Sequence, residues 1–394
     1  MAKAPNNPFE KIADPTGEAR EIRELTKLTS KLLDKRYRQK NKKVLRGVHP
    51  KSHGCLRAVF EIRQDIPEAL RAGLFATPGK RYRAWVRFSN AAIKVAHDLG
   101  TSDPQAQQNG SRGLAIKVLD VGGRVLLADD GAKNQDFLMI NTPAFAFVDS
   151  KQYLLLNKVL EQTGDNETAA VGALLQPILD PNSGASAAEK QRAAKTAGVI
   201  QMIQAKPVEN PMEVAYFGAA PFLFGPDRIM RFAAVPWGGE APQAVPPQAG
   251  PNYLRRAVRQ RVRQREDICF DFRLQVRGKA EKNLQIEDAT AIWDEAKTPF
   301  VSVARLIIPA PQDRPGSDQG KASARREAQC EKMSFTPWHC LAEHQPLGSI
   351  NRLRKPVYEA SSDMRRGKKK AKDKAAIKKT IRKPVRLKRA RRPT

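Results

Sequence analysis

Two of the five histidines and one of the four cysteines fall close together in the stretch VLRGVHPKSHGC, as His49, His53 and Cys55. Imidazole and thiolate are metal ligands, and a neutral imidazole is also the side chain best able to take up and return a proton near neutrality. Histidines four residues apart can share a metal on a helix, but Pro50 and Gly54 break a helix here and no third ligand lies nearby. The local residues alone leave His49 as a proton acceptor or an ordinary loop histidine. His339 and His344 lack metal-site spacing with a carboxylate or a third histidine and are expected to be structural.

The elements that must position these residues can be read from periodicity. Residues 20–43 space Ile22, Leu25, Leu28, Leu32 and Leu33 as an amphipathic helix. From 56 to 149 come short β-rich runs, LRAVFEI, RAWVRFS, GLAIKVLD and RVLLAD, with Val121-Gly122-Gly123 as a hairpin turn between the last two. Residues 150–233 read as helices: SKQYLLLNKVLEQ, AAEKQRAAKTAGVIQMIQ and PDRIMRFAAV. The Pro/Gly/Gln-rich PWGGEAPQAVPPQAGP must run extended. Strands resume with ICFDFRLQV and FVSVARLIIP, and a loop leads to FTPWHCLAEHQPLGSINRLRKPVYEASSDMRR. No internal repeat is evident. Antiparallel runs, a block of helices and a long connector suit an α+β domain built around a barrel of about eight strands.

Composition sets the frame. A chain of 394 residues, 41% hydrophobic, can bury a sizeable core. The cysteines Cys55, Cys269, Cys330 and Cys340 are scattered, without the spacing of a zinc site or a disulfide framework. There is no apolar leader in the first twenty residues and no run long enough to span a membrane, so a reducing, cytoplasmic setting is expected. The net charge of +29 is concentrated at the ends. Residues 365–394 hold sixteen Lys/Arg against one Asp, and residues 20–46 hold eleven against three acids. The tail has too little apolar surface to offset ordering entropy and is expected to be disordered. It could neutralise nucleic-acid or other polyanion phosphates without sequence preference, or simply act as a solubilising arm.

Five segments, in order, resemble the haem catalases and catalase-related peroxidases. Their Arg-x-Val-His-x-Lys stretch is matched by Arg46, Val48, His49 and Lys51, leading into a strand with Phe60. Their Arg-Phe-Ser strand is matched by Arg87, Phe88 and Ser89, and their Arg-Gly-x-Ala-x-Lys strand by Arg112, Gly113, Ala115 and Lys117. Their Asn-x-Pro segment is matched by Asn141, Pro143, Phe145 and Asp149. Their Phe-x-Pro stretch followed by Arg-x-x-x-Tyr and a further Arg is matched by Phe335, Pro337, Arg354, Tyr358 and Arg365. Ser52, His53, Gly54 and Cys55 stand where that family keeps small residues, close to the distal pocket.

The resemblance implies ferric haem b, with Tyr358 as the iron's axial ligand and Arg354 supporting it. It implies His49 as the distal acid–base, Ser89 orienting it and Asn141 positioning peroxide, with Arg46, Arg87 and Arg365 on the propionates. No NADPH is expected. The family's shortened branch implies a peroxidase acting on H2O2 or on organic or lipid hydroperoxides. Alternatives are a fatty-acid dioxygenase or hydroperoxide isomerase on the same site, and a DNA- or polyanion-binding protein whose catalase-like body is inert. The expected organisation is an N-terminal arm and helix (1–46), a haem-binding domain (47–365) and a basic tail (366–394), in a chain able to form homo-oligomers. Within the domain a helical insertion (about 150–235), a connector (about 236–252) and a proximal helix (about 349–365) are expected.

Overall fold

The computed structural model describes residues 9–278, 281, 284–313 and 318–367. All but the first two residues of the basic tail lie outside that range. The chain begins with α1 (Pro15–Arg36), then β1 (Ser52–Ile62), β2 (Arg81–Asn90), β3 (Arg112–Val118) and β4 (Gln135–Ile140). Three helices follow, α2 (Ser150–Gln162), α3 (Glu167–Leu179) and α4 (Ala187–Gln204). Next come β5 (Tyr216–Phe217), β6 (Phe222–Phe224), β7 (Arg228–Pro236), α5 (Tyr253–Arg263), β8 (Ile268–Gly278) and β9 (Val301–Ile308). The described chain ends with α6 (Gln319–Lys332) and α7 (Ser349–Arg366).

All strand pairs are antiparallel, in the order β5-β4-β3-β2-β1-β9-β8-β7-β6. Residues of β5 pair both with β4 and with β7, which closes eight strands into a barrel and leaves β6 as a flap on β7. Alternation along each strand sorts side chains into two populations. On β2, Ala84, Val86 and Phe88 join the barrel core, where Phe60, Phe137 and Phe272 stack with ring centroids 4.7–5.8 Å apart. The alternate residues Arg87 and Ser89 therefore leave on the outer face, and the β2–β3 register sets Ser89 opposite Gly113. The barrel is the rigid wall on which one half of the candidate site is mounted.

The other half is mounted on α7. Ile350, Leu353 and Val357 pack against Leu25, Leu28 and Leu32 of α1 and Leu154 of α2. Arg352 of α7 bonds to carboxylates of Glu10, Glu18 and Glu287, at 2.9 Å for Glu18 and 2.6 Å for Glu287. The amphipathic helix expected over 20–43 thus starts earlier, at Pro15, capped by Asp14 accepting from the Gly17 amide at 2.8 Å.

Several sequence expectations are corrected. Residues 226–235, predicted helical, contain β7. Its apolar run pairs along its whole length with β8, so tertiary pairing overrides a pattern that suits either structure. The helical block accordingly ends at Gln204 instead of near 235. RVLLAD is not a strand. Its backbone forms only isolated bridges, Val125 with Leu341 and Asp129 with Ala132, and β3 pairs instead with β4 at 135–140. The expected loop before residue 335 holds α6, and α5 follows the connector directly. Cys55 and Cys330, 275 residues apart, form a disulfide, which removes one ground for expecting a reducing compartment. Among the described residues no helix is long and apolar enough to cross a membrane.

Candidate active site

The distal side is assembled by three strands. His49 sits at φ 57° just before Pro50, a left-handed backbone held by its amide donating to the Ala92 carbonyl at 2.9 Å. Its carbonyl accepts from Arg87 Nη2 at 2.8 Å, and its Nδ1 is 3.0 Å from Ser89 Oγ. That leaves Nε2 for proton exchange. Gly113 makes the placement possible, since a Cβ there would lie 2.5 Å from the imidazole and 3.0 Å from Ser89 Oγ. Burial, together with the charges of Arg87, Arg354 and Arg46, lowers the His49 pKa to about 3. The ring is desolvated by the protein around it, while the residue as a whole is half-buried. Tyr153 shows the same combination.

Asn141 follows β4 and is fixed from two sides. Its Oδ1 accepts from the Arg112 amide at 2.7 Å, and its own amide donates to the Arg112 carbonyl at 3.0 Å. Its Nδ2 is buried without a partner among the described residues. A buried amide donor left unpaired costs stability, which is tolerated where a ligand is to be met.

On α7, Arg354 Nε donates to Tyr358 Oη at 3.3 Å, and Arg354 Nη1 donates to Asn351 Oδ1 at 3.2 Å. Asn351 is itself clamped to the carbonyls of Pro221 and Leu347, both at 3.1 Å. Tyr358, Tyr153 and Phe145 each pack against the apolar cluster that α7 forms with α1 and α2. The phenol of Tyr153 is raised by burial and by Tyr358, while Arg354 acts in the opposite sense. Arg354 therefore lies within electrostatic range of both His49 and the tyrosine pair.

The three remaining arginines converge at one edge. Arg46 pairs with the Glu331 carboxylate and donates to the carbonyls of Cys330 at 2.9 Å and Met333 at 3.3 Å. Arg87 Nη2 is 3.6 Å from Glu331, and Arg365 Nη2 donates to the Met333 carbonyl at 2.7 Å. Burial and mutual repulsion lower Arg87 to about 9 and Arg365 to about 10. Arg87 Nε and Arg365 Nε and Nη1 have no partner among the described residues.

All eight residues singled out from the sequence thus fall into one region: His49, Ser89 and Asn141 on barrel-borne backbone, Arg354 and Tyr358 on α7, and Arg46, Arg87 and Arg365 at its edge. His53 and Cys55, expected close to the distal pocket, are engaged in structural contacts. His53 Nε2 meets Asn90 Oδ1 at 2.8 Å within a buried cluster containing Asp98 and Lys51, and Cys55 is in its disulfide. Among the described residues no His/Cys/Asp/Glu group suits a metal ion. Glu331 and Tyr153 were not anticipated. One is one of two acids in a charged helix and the other an aromatic on an amphipathic one, and neither carries a sequence signal.

No protein-family model matches the chain. Over 117 residues, 30% of this chain, it is 31% identical to a catalase of Staphylococcus haemolyticus (strain JCSC1435) and covers 20% of that protein. Over the same length it is 29% identical to a catalase-like protein of Staphylococcus aureus, covering 22% of it. The match therefore spans about a fifth of the curated relatives' length. A fungal catalase structure aligns with a TM-score of 0.63 at 18% identity, over 84% of this chain and 61% of that one. Catalase A from Saccharomyces cerevisiae aligns with 0.61 at 15% identity, over 83% and 62%. A bacterial catalase aligns with 0.56 at 17% identity, over 92% and 64%. These likenesses establish the architecture: an eight-stranded antiparallel barrel with surrounding helices, in the fold that catalases have.

Proposed function

We propose that the chain is a haem-dependent enzyme that cleaves a peroxide O–O bond, acting on H2O2 or an organic hydroperoxide. The observation that carries this reading is geometric: Arg354 Nε donates to Tyr358 Oη at 3.3 Å, and His49 is held on Ser89 Oγ at 3.0 Å. A phenol under a guanidinium thus lies in the same region as a neutral imidazole and an unpaired amide. The residues present fit haem b. The unpaired donors of Arg87 and Arg365 suit carboxylates, and Asn141 Nδ2 suits a small polar ligand.

When bound, haem supplies the iron at which the O–O bond is broken. Tyr358 would hold that iron, and Arg46, Arg87 and Arg365 would hold the propionates. Arg354 stabilises the ionised phenol by a charge-assisted hydrogen bond. His49, neutral because of its burial and the surrounding arginines, presents an unprotonated nitrogen throughout the physiological range. Its low basicity means that a proton taken from peroxide is held only briefly before being passed on. Ser89 fixes the ring's rotation, and Asn141 Nδ2 can donate to a peroxide oxygen without competing for the proton. Phe145, Phe147 and Tyr153 pack together, with ring centroids 5.6–5.9 Å apart.

The test is haem titration of the full chain. A Soret band is expected in the wild type and its loss in Tyr358→Phe and Arg354→Ala. Wild type that shows no Soret absorbance with ample haem overturns the reading. Parallel assays on H2O2, phenol with H2O2, a fatty-acid hydroperoxide and a polyunsaturated fatty acid with O2 then identify the substrate.

A further inference from the structure

The arginine cluster carries a carboxylate of its own, and that carboxylate is stapled in place. Glu331 pairs with Arg46 and lies 3.6 Å from Arg87. Burial would raise its carboxyl, but Arg46, Arg87 and Arg365 outweigh that and hold it below the ordinary range. The residue before it, Cys330, is bonded to Cys55 of β1, and the Cys330 carbonyl accepts from Arg46 as well. This staple matters because α6 has no apolar stripe with which to dock. Among its described side chains only Arg326 and Cys330 are buried. A helix of that composition is held by tertiary anchors and not by its own propensity.

We infer that Glu331, held by the Cys55–Cys330 disulfide, is a positioning residue for the anion-binding arginines. The bridge fixes where α6 ends, Glu331 fixes where Arg46 and Arg87 point, and the unpaired donors of Arg87 and Arg365 are left turned to an incoming anion. Cys55 is 2% exposed and Cys330 0%, so a reductant reaches the bridge only if α6 first lifts away. It is a staple and not a thiol sensor.

The inference rests on the haem reading above, and two measurements separate their failures. In full-length protein loaded with haem, transfer to excess apomyoglobin reports the rate of haem loss. Glu331→Gln, which keeps the bridge and the side-chain shape, should lose haem about tenfold faster, as should the Cys55→Ser/Cys330→Ser pair. The combined variant should be no faster than the faster of the two, because both act through one contact. Multiplying rates, or an unchanged rate in the cysteine pair, overturn the inference. If wild type takes up no haem, the functional reading fails, and hydrogen exchange of the haem-free protein still tests the staple. Faster exchange over residues 327–335 and 44–48 in the cysteine pair supports it, and unchanged exchange overturns it.

Discussion

Acid should unfold this protein steeply, because it buries three neutral histidines. Burial is the leading cause in each case: His49 and His53 are lowered to about 3 and His344 to about 4. In the unfolded chain the same groups titrate near 6.5. Between those limits the unfolded state binds more protons than the native state, so stability is fully present above the unfolded value and falls as pH drops below it. Each differential proton is worth about 1.4 kcal/mol per pH unit, so three give about 4 kcal/mol per unit. Against a typical total of roughly 5–15 kcal/mol, a fall from pH 6.5 to 5 consumes a large share. Glu167 and Glu359, whose carboxyls burial raises, act in the opposite sense and subtract from the slope in the same window, so the histidine contribution is read as the difference between wild type and variant. Urea unfolding of the haem-free protein at half-unit intervals between pH 5 and 6.5 gives the slope directly. His53→Gln, which can still reach Asn90, should lower the slope by about one proton. A slope that His53→Gln leaves unchanged refutes the reasoning, because it would mean that this imidazole is charged or hydrated in the native state.

Two further substitutions follow from the same geometry. Gly113→Ala drives a methyl to 2.5 Å from the His49 ring; it should break the Ser89 bond and cut peroxide turnover about a hundredfold, in the range of a lost general base, while urea stability changes far less. Lys117→Met removes the cation held at 2.8 Å by Asp136 and 3.0 Å by Asp129, and stranding those buried carboxylates should cost about 3–5 kcal/mol in urea unfolding.

The site was legible in the sequence where a residue type has few substitutes in a short, ordered motif. His49, Ser89 and Asn141 each sit on or beside a barrel strand, and Arg354 and Tyr358 share a helix face by spacing alone. Strand β7 was not legible: IMRFAAV is apolar enough for a buried strand or a buried helix, and its pairing partner begins some thirty residues later. The disulfide left no local trace because its halves are 275 residues apart. Helix α6 hid for the opposite reason. It lacks apolar periodicity, and its anchor is one sulfur bridge. Glu331 became visible only through the arginines gathered around it.

The closing of α7 onto the start of the chain has a consequence for biosynthesis. Arg352 meets Glu10 and Glu18 across 342 and 334 residues, and Ser361 accepts from the Gly47 amide across 314. On the ribosome, the barrel can form before Tyr358 has emerged, while Leu25, Leu28 and Leu32 of α1 wait with their apolar face uncovered. Contacts of such long sequence separation form late and slowly. A chain stopped short of α7 is therefore a sticky intermediate without Tyr358, and the emergence of α7, the covering of α1 and the creation of the proposed cofactor seat become one event.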